Sequence, residues 1–138
     1  MRALLLHANK FQTKITEESN RPGGISPETK KSPVEEMLEG LVCFFTVEEN
    51  DEEDSVELFF QEILKTAREV GTKNIMISPF VHLSNKISSP QKAKRFYEDL
   101  LEKFKATDYK VSSSHFRFHK SLLLDIKGHP GSFRYREF

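Results

Sequence analysis

The 138-residue sequence has a single cysteine, no tryptophan and no surplus of either charge. The lone cysteine, Cys43, excludes an internal disulfide and is typical of a reducing, cytoplasmic setting. It lies in the apolar run 41–45 without basic neighbours, so we expect a core side chain rather than a nucleophile. Basic and acidic residues number 21 each, which excludes a strongly basic surface. Any contact with a nucleic acid must therefore be local.

Metal and nucleophile motifs are also missing. The five histidines (His7, His82, His115, His119 and His129) show no zinc-type spacing and accompany no C-x-x-C. A metal site assembled from His7, His82 and His129, each at a predicted strand end, stays open on geometry alone. No G-x-S-x-G elbow, phosphate-binding glycine loop or dinucleotide fingerprint is present. We expect neither a metal nor a cofactor.

The periodicity of the chain predicts a single α/β domain spanning residues 1–138, ordered β-β-β-α-β-α-β-β. The predicted strands lie at 2–9, 10–16, 41–47, 74–78, 109–118 and 121–126, and the predicted helices at 56–70 and 90–105. The stretch 17–32, with two prolines and two glycines, is predicted to be a loop, and the acidic run 48–54 a solvated turn. Both helices follow strands, so we expect them on one face of a sheet that twists around a second β layer.

Local signals mark the helix ends. Ser55 is the expected N-cap of the first helix and Gly71 its stop. Ser88 or Ser89 is expected to begin the second helix, with Pro90 at its first position. The apolar stretch at residues 1–7 is too short for a signal peptide or a membrane span, and we interpret it as a first strand.

The stretch SPFVHLSN, residues 78–85, raises the first question of function. Pro79 removes a backbone donor, so the strand should end there. Phe80, Val81 and His82 follow directly. Two interpretations stay open from the residues alone: a corner of core with a satisfied histidine, or a binding site on a strand tip. Lys120 alone is expected to be a surface lysine on an edge strand.

Four segments together resemble the N-terminal editing domain of archaeal threonyl-tRNA synthetases. They are MRALLLH at 1–7, SPFVHLS at 78–84, HKS at 119–121 and KGHP at 127–130. The resemblance implies a three-layer β/β/α fold like that of the D-aminoacyl-tRNA deacylases, and a homodimer. It implies removal of serine from mischarged Ser-tRNA(Thr), with help from the 2′-hydroxyl of the terminal adenosine. The implied partners are the 3′ end of tRNA(Thr) and a synthetase catalytic domain, fused or cooperating.

The resemblance also assigns roles to individual residues. It implies that Lys120 lies near the ester and orients substrate, holds the attacking water or stabilises the oxyanion. It places His82 beside the terminal ribose, and these two residues are the expected catalytic pair. The implied substrate-binding residues are Val47, Phe80, Val81, Phe116, His119 and His7.

The sequence departs from the family pattern in three places. Residues 7–9 are His-Ala-Asn where many members have His-Ser-Asp, and His119 replaces a tyrosine. Phe133 occupies the position where an acidic residue is expected. The missing carboxylate leaves three possibilities. The chain is a functional variant, which we favour; Glu137 or Asp125 replaces the carboxylate; or the chain is a paralogue with weakened activity. The alternatives to an editing hydrolase are a non-catalytic tRNA-binding or dimerisation module and a D-aminoacyl-tRNA deacylase.

Overall fold

The computed structural model of the chain describes residues 1–18 and 32–138. In this part of the chain, seven strands form one mixed sheet that carries two helices. The elements are β1 Arg2–Glu18, β2 Val34–Met37, β3 Gly40–Thr46, α1 Glu53–Val70, β4 Asn74–Pro79, α2 Pro90–Phe104, β5 Lys110–Ser113, β6 Phe118–Ile126 and β7 Phe133–Glu137. Residues 19–31 of the predicted loop lie outside the described residues. No described helix is both long and apolar enough to cross a membrane.

The long strand β1 organises the sheet. One of its edges pairs first with β3 and then with β2, and the other edge pairs first with β7 and then with β6. All four pairings are antiparallel, whereas β3, β4 and β5 run parallel to one another. The prediction of separate strands at 2–9 and 10–16 is therefore wrong. At Asn9 the register of β1 against β6 shifts by one residue, which marks a β-bulge. A bulge bends a strand without ending it.

The two faces of the sheet bury different side chains because neighbouring strand residues point to opposite faces. The core on the helix side is formed by residues such as Leu5, Cys43, Phe59, Ile77 and Phe96. The core on the other side is formed by residues such as Leu6, Phe11, Val42, Phe44 and Met76, with Leu124 packed against it. The second half of β1, with β2 and β6, supplies the layer that covers this second face. The layered α/β arrangement is confirmed, and burial on both faces explains the continuous apolar run of β3.

Cys43 lies in the helix-side core, as expected from the sequence. Its side chain is fully buried, and this burial raises the pKa of the thiol well above its ordinary value. A buried thiol that stays protonated is not a nucleophile.

The sequence signals are correct at two of the three helix ends that they predicted. α1 begins at Glu53 after an extended Glu52, and Ser55 is buried inside the helix, so the predicted Ser55 cap is wrong. The acidic first turn suits the positive end of the helix dipole without a side-chain cap. Gly71 ends α1 with a φ of 75°, and Ser89 caps α2 by accepting from the Lys92 N–H.

The C-terminal strands differ most from the prediction. The predicted strand at 109–118 is only β5, because the chain turns away after Ser113 and passes through Arg117 at a φ of 77°. β2 and β7 were not predicted. β7 alternates exposed residues with Arg134 and Arg136, which form ion pairs with carboxylates of α1. A strand that buries so little has no clear hydrophobic pattern.

Candidate active site at the carboxyl ends of strands β3 and β4

The carboxyl ends of β3 and β4 meet at one edge of the sheet because the two strands are parallel. Val47 directly follows β3, and its carbonyl accepts a hydrogen bond from the Ser88 N–H at 2.9 Å. Phe80 directly follows β4, and its N–H donates to the Phe45 carbonyl at 2.9 Å. A 3₁₀ turn, Val81–Leu83, comes next. Three predicted substrate-binding residues and His82 therefore lie at this edge.

This strand tip combines a packed base with an open rim. Phe80 is half-buried, and its ring centroid lies 5.1 Å from those of both Phe44 and His82. Val47 is only 4% exposed, whereas Val81 is 57% exposed. His82 is also exposed. Phe80 therefore packs in the core, whereas Val81 and His82 face solvent. A binding site at this strand tip stays a prediction.

Hydrogen bonds hold the turn on β3. The Thr46 hydroxyl donates to the Phe80 carbonyl and accepts from the Leu83 N–H at 3.3 Å. The Ser84 hydroxyl donates to the Glu48 carboxylate. These contacts fix the position of the turn before any ligand arrives.

Glu48 also belongs to a charged cluster at the start of the chain. Its partial burial raises the pKa, but hydrogen bonds from Ser84 and the Met1 ammonium and the charge of Arg2 leave the pKa below its ordinary value. Asp51 is buried and accepts from the same ammonium and from the Glu48 N–H. The acidic run was predicted to be solvated, and Asp51 is the exception.

The Lys120 side chain extends from β6 toward β4. Its ammonium donates to the His115 carbonyl and lies 3.5 Å from the Ser114 hydroxyl. The Ser114 and Ser78 hydroxyls are 2.7 Å apart, and Ser78 is on β4 two residues before Phe80. Ser78 is two residues from Met76 and therefore on the same face of β4, so Lys120 approaches the face on which Phe80 also packs.

Phe116 and His119, the other predicted binding residues on this segment, take different directions. Phe116 packs toward the helices, with its ring centroid 5.8 Å from that of Tyr97. His119 is exposed on β6, next to Lys120 and therefore on the opposite face of the strand. The structure brings Phe116 to the helix-side core that also holds Val47, and it does not bring His119 to the Lys120 ammonium.

His7 lies at the other end of the sheet. It pairs with Leu41 near the start of β3, whereas Arg2 pairs with Thr46 at its end. The His7 ring is buried between two partners: its Nδ1 lies 2.8 Å from Nε2 of His129, and its Nε2 lies 2.6 Å from the Glu39 carboxylate. The fold does not gather His7 with the other predicted site residues.

The position of His7 also tests the alternative of a metal site formed by His7, His82 and His129. His7 and His129 touch near the amino end of β3, and His82 follows the carboxyl end of β4. Because these ends are opposite, the three rings do not converge, and that alternative is wrong. Across residues 1–18 and 32–138, no cluster of three potential metal ligands is found.

Phe133, at the position of the expected acidic residue, is 65% exposed on β7. The two carboxylates considered as replacements have other partners. Glu137 accepts from the Tyr135 hydroxyl at 2.7 Å, and Asp125 accepts from the Asn9 amide at 3.4 Å.

Sequence reasoning missed three polar residues near Lys120. Ser78, Ser114 and His115 are at least nine-tenths buried, and Nδ1 of His115 has no hydrogen-bond partner among the described residues. The only signal in the sequence is the run of serines before His115, which by itself is typical of a loop.

A comparison with a solved structure establishes the fold. One solved structure, the c-Myc DNA Unwinding Element Binding Protein, matches with a TM-score of 0.73 at 12% sequence identity. The match covers 100% of this chain and 99% of that chain. The expected D-aminoacyl-tRNA deacylase-like fold is thereby confirmed.

The family follows from the sequence comparisons. The model of the archaea-specific editing domain of threonyl-tRNA synthetase matches residues 1–138, and the chain belongs to this family. Threonine–tRNA ligases of Pyrococcus furiosus and Staphylothermus marinus are 30% and 36% identical to it over 131 and 132 residues. That of Methanococcus aeolicus is 32% identical over 139 residues. Each alignment covers 94% of this chain but only 20–21% of the relative, so the chain spans about a fifth of these ligases.

Proposed function

We propose that the chain is a proofreading hydrolase that removes serine from mischarged Ser-tRNA(Thr). Membership in the editing-domain family supports an aminoacyl-ester substrate. The observation that carries the proposal is the contact of the Lys120 ammonium with the Ser114 hydroxyl, which lies 2.7 Å from the Ser78 hydroxyl on the face of β4 where Phe80 also packs. A cation at the rim of a small apolar site suits an ester whose oxygens gain negative charge during hydrolysis.

The energetics of threonine selection explain why such a site is needed. A synthetic pocket built for threonine rejects serine by only about 1–3 kcal/mol, the worth of one methyl group. A second site must then hydrolyse the wrong ester while excluding threonine. In this proposal Val47, Phe80 and Val81 shape the small pocket, and the extra methyl of threonine crowds them.

The chemistry requires no protein base. The proposed mechanism uses the 2′-hydroxyl of the terminal adenosine to position and activate the attacking water. Lys120 holds the ester oxygen or the water, and His82, exposed beside Phe80, contacts the terminal ribose. This division of roles suits a strand tip whose charged group is a lysine rather than a carboxylate.

A non-catalytic tRNA-binding or dimerisation module is the second candidate. The observation that favours it is Phe133, an exposed aromatic side chain where the family pattern has an acid. A D-aminoacyl-tRNA deacylase proper is a third candidate, which the shared fold favours.

The partners of the chain are part of the same proposal. We expect it to bind the 3′ end of tRNA(Thr) in the cytoplasm and to form a homodimer. We also expect it to work with a threonyl-tRNA synthetase catalytic domain, because the matched ligases are about five times longer than the aligned segment.

The test compares three esters in one assay: Ser-tRNA(Thr), Thr-tRNA(Thr) and a D-aminoacyl-tRNA. We expect the chain to hydrolyse the serine ester well above the rate in buffer and to spare the threonine ester. Preferred hydrolysis of the D-amino acid would identify the third candidate. Binding of tRNA(Thr) without release of any amino acid would replace the proposed function with the second candidate.

A further inference from the structure

Two buried hydroxyls lie behind the Lys120 ammonium. Ser114 is 0% exposed and Ser78 is 3% exposed, and their oxygens are 2.7 Å apart. The ammonium lies 3.5 Å from the Ser114 oxygen and donates to the carbonyl of the next residue, His115. Neither serine has a role in the proposed chemistry described so far.

We propose that Ser114, supported by Ser78, is a positioning residue that sets the place of the Lys120 ammonium. This inference rests on the proposed function, since it gives Lys120 a fixed position beside the ester. It adds two residues to which the sequence assigned no role.

The hydrogen-bonding capacity of each group supports this arrangement. An ammonium only donates, so the Ser114 oxygen accepts from Lys120. The hydroxyl proton of Ser114 is then available to Ser78, and a hydroxyl that donates becomes a better acceptor. The pair thereby strengthens the hold on the ammonium without adding a second charge.

The backbone of Ser114 keeps its hydroxyl in a fixed position. Its N–H donates to the Ile77 carbonyl at 3.0 Å, and its carbonyl accepts from the Tyr97 hydroxyl at 3.4 Å. Lysine has a flexible four-carbon stem, and a catalytic group must be held to within about 0.5 Å to be effective. A rigid acceptor at the end of this stem supplies that restraint.

The first experiment measures hydrolysis of Ser-tRNA(Thr) by Ser114→Ala, with Ser113→Ala as the matched control. Ser113 is the last residue of β5 and directly precedes Ser114, so the two neighbouring side chains point in opposite directions. A misplacement of about 1 Å costs up to about 100-fold in rate, so we expect kcat to fall by about 10- to 100-fold. KM should stay unchanged, and Ser113→Ala should behave as wild type. Ser78→Ala should show a smaller loss of the same kind.

A double-mutant cycle separates positioning from a general structural effect. If Ser114 acts through Lys120, Ser114→Ala should have no further effect in a Lys120→Met background. Equal losses in both backgrounds would overturn the inference. Wild-type turnover by Ser78→Ala and Ser114→Ala, with Lys120→Met inactive, would also overturn it and leave the proposed function in place. Should Ser114→Ala not fold, Ser78→Ala and its own cycle with Lys120→Met decide the matter.

Discussion

Replacing Lys120 with methionine removes the ammonium beside Ser114 and keeps the length of the side chain. Among the described residues, the acceptors of this ammonium include the His115 carbonyl and the Ser114 hydroxyl. Loss of one oriented electrostatic contact in a catalytic site costs about 2.7–4 kcal/mol of barrier, or about 100- to 1,000-fold in rate. We therefore expect hydrolysis of Ser-tRNA(Thr) to fall by two to three decades.

The fold should survive this substitution. Lys120 is half-buried on β6, and the net contribution of each of its hydrogen bonds is about 1 kcal/mol, or about 4 °C in Tm for a domain of this size. The assay is single-turnover release of serine, with a thermal melt of each protein. Lys110→Met, at an exposed lysine on β5, makes the same change of charge and should keep the wild-type rate. Wild-type turnover in a folded Lys120→Met protein would refute the proposed role.

Three further predictions concern the strand tip and its support. Val47→Ala or Val81→Ala should admit the threonine ester and raise its hydrolysis by at most about 10- to 200-fold, the one-methyl scale; no change in either variant would show that other groups reject threonine. Asp51→Ala should lower the free energy of unfolding, measured in urea, by about 3–5 kcal/mol, because the buried Met1 ammonium then keeps only Glu48 as a carboxylate partner among the described side chains. A loss below about 1 kcal/mol would contradict this explanation. The pKa of Glu48 is lowered in the folded state, so its contribution to stability is present above its ordinary value of 4.5 and is lost as the pH falls through the lower folded value. Glu48→Gln should therefore lose less stability than wild type on acidification, measured by urea unfolding at each pH.

Local signals in the sequence predicted the elements that depend on local physics. The second helix was placed correctly because Ser89 and Pro90 mark its start and an apolar stripe follows. Gly71 was identified as the end of α1 because a helix commonly ends at a residue with positive φ, and glycine adopts this conformation without strain. By contrast, Asn9 looks like a break between two strands, and only pairing with β6 shows that β1 continues past it.

The candidate site could be predicted only in part, for a related reason. The tip at Phe80 and Val81 is contiguous in the sequence, and Pro79 marks it. The position of Lys120 depends on the pairing of β6 with the second half of β1. The hydrophobic periodicity of the sequence does not predict this pairing. His7 lies in a segment that resembles the family, but it pairs near the start of β3, far from the predicted site. Strand register places these residues, and register is set by pairing rather than by local pattern.

The most direct test of the proposed mechanism uses Ser-tRNA(Thr) that ends either in ordinary adenosine or in 2′-deoxyadenosine. The chain, at saturating concentration, is mixed with each substrate, and release of serine is followed in a single turnover. We predict rapid release from the first substrate and a rate near that in buffer from the second, because the proposed mechanism assigns activation of the water to the 2′-hydroxyl. Equal rapid release from both substrates would contradict the mechanism, and no release from either would contradict the assignment as an editing hydrolase.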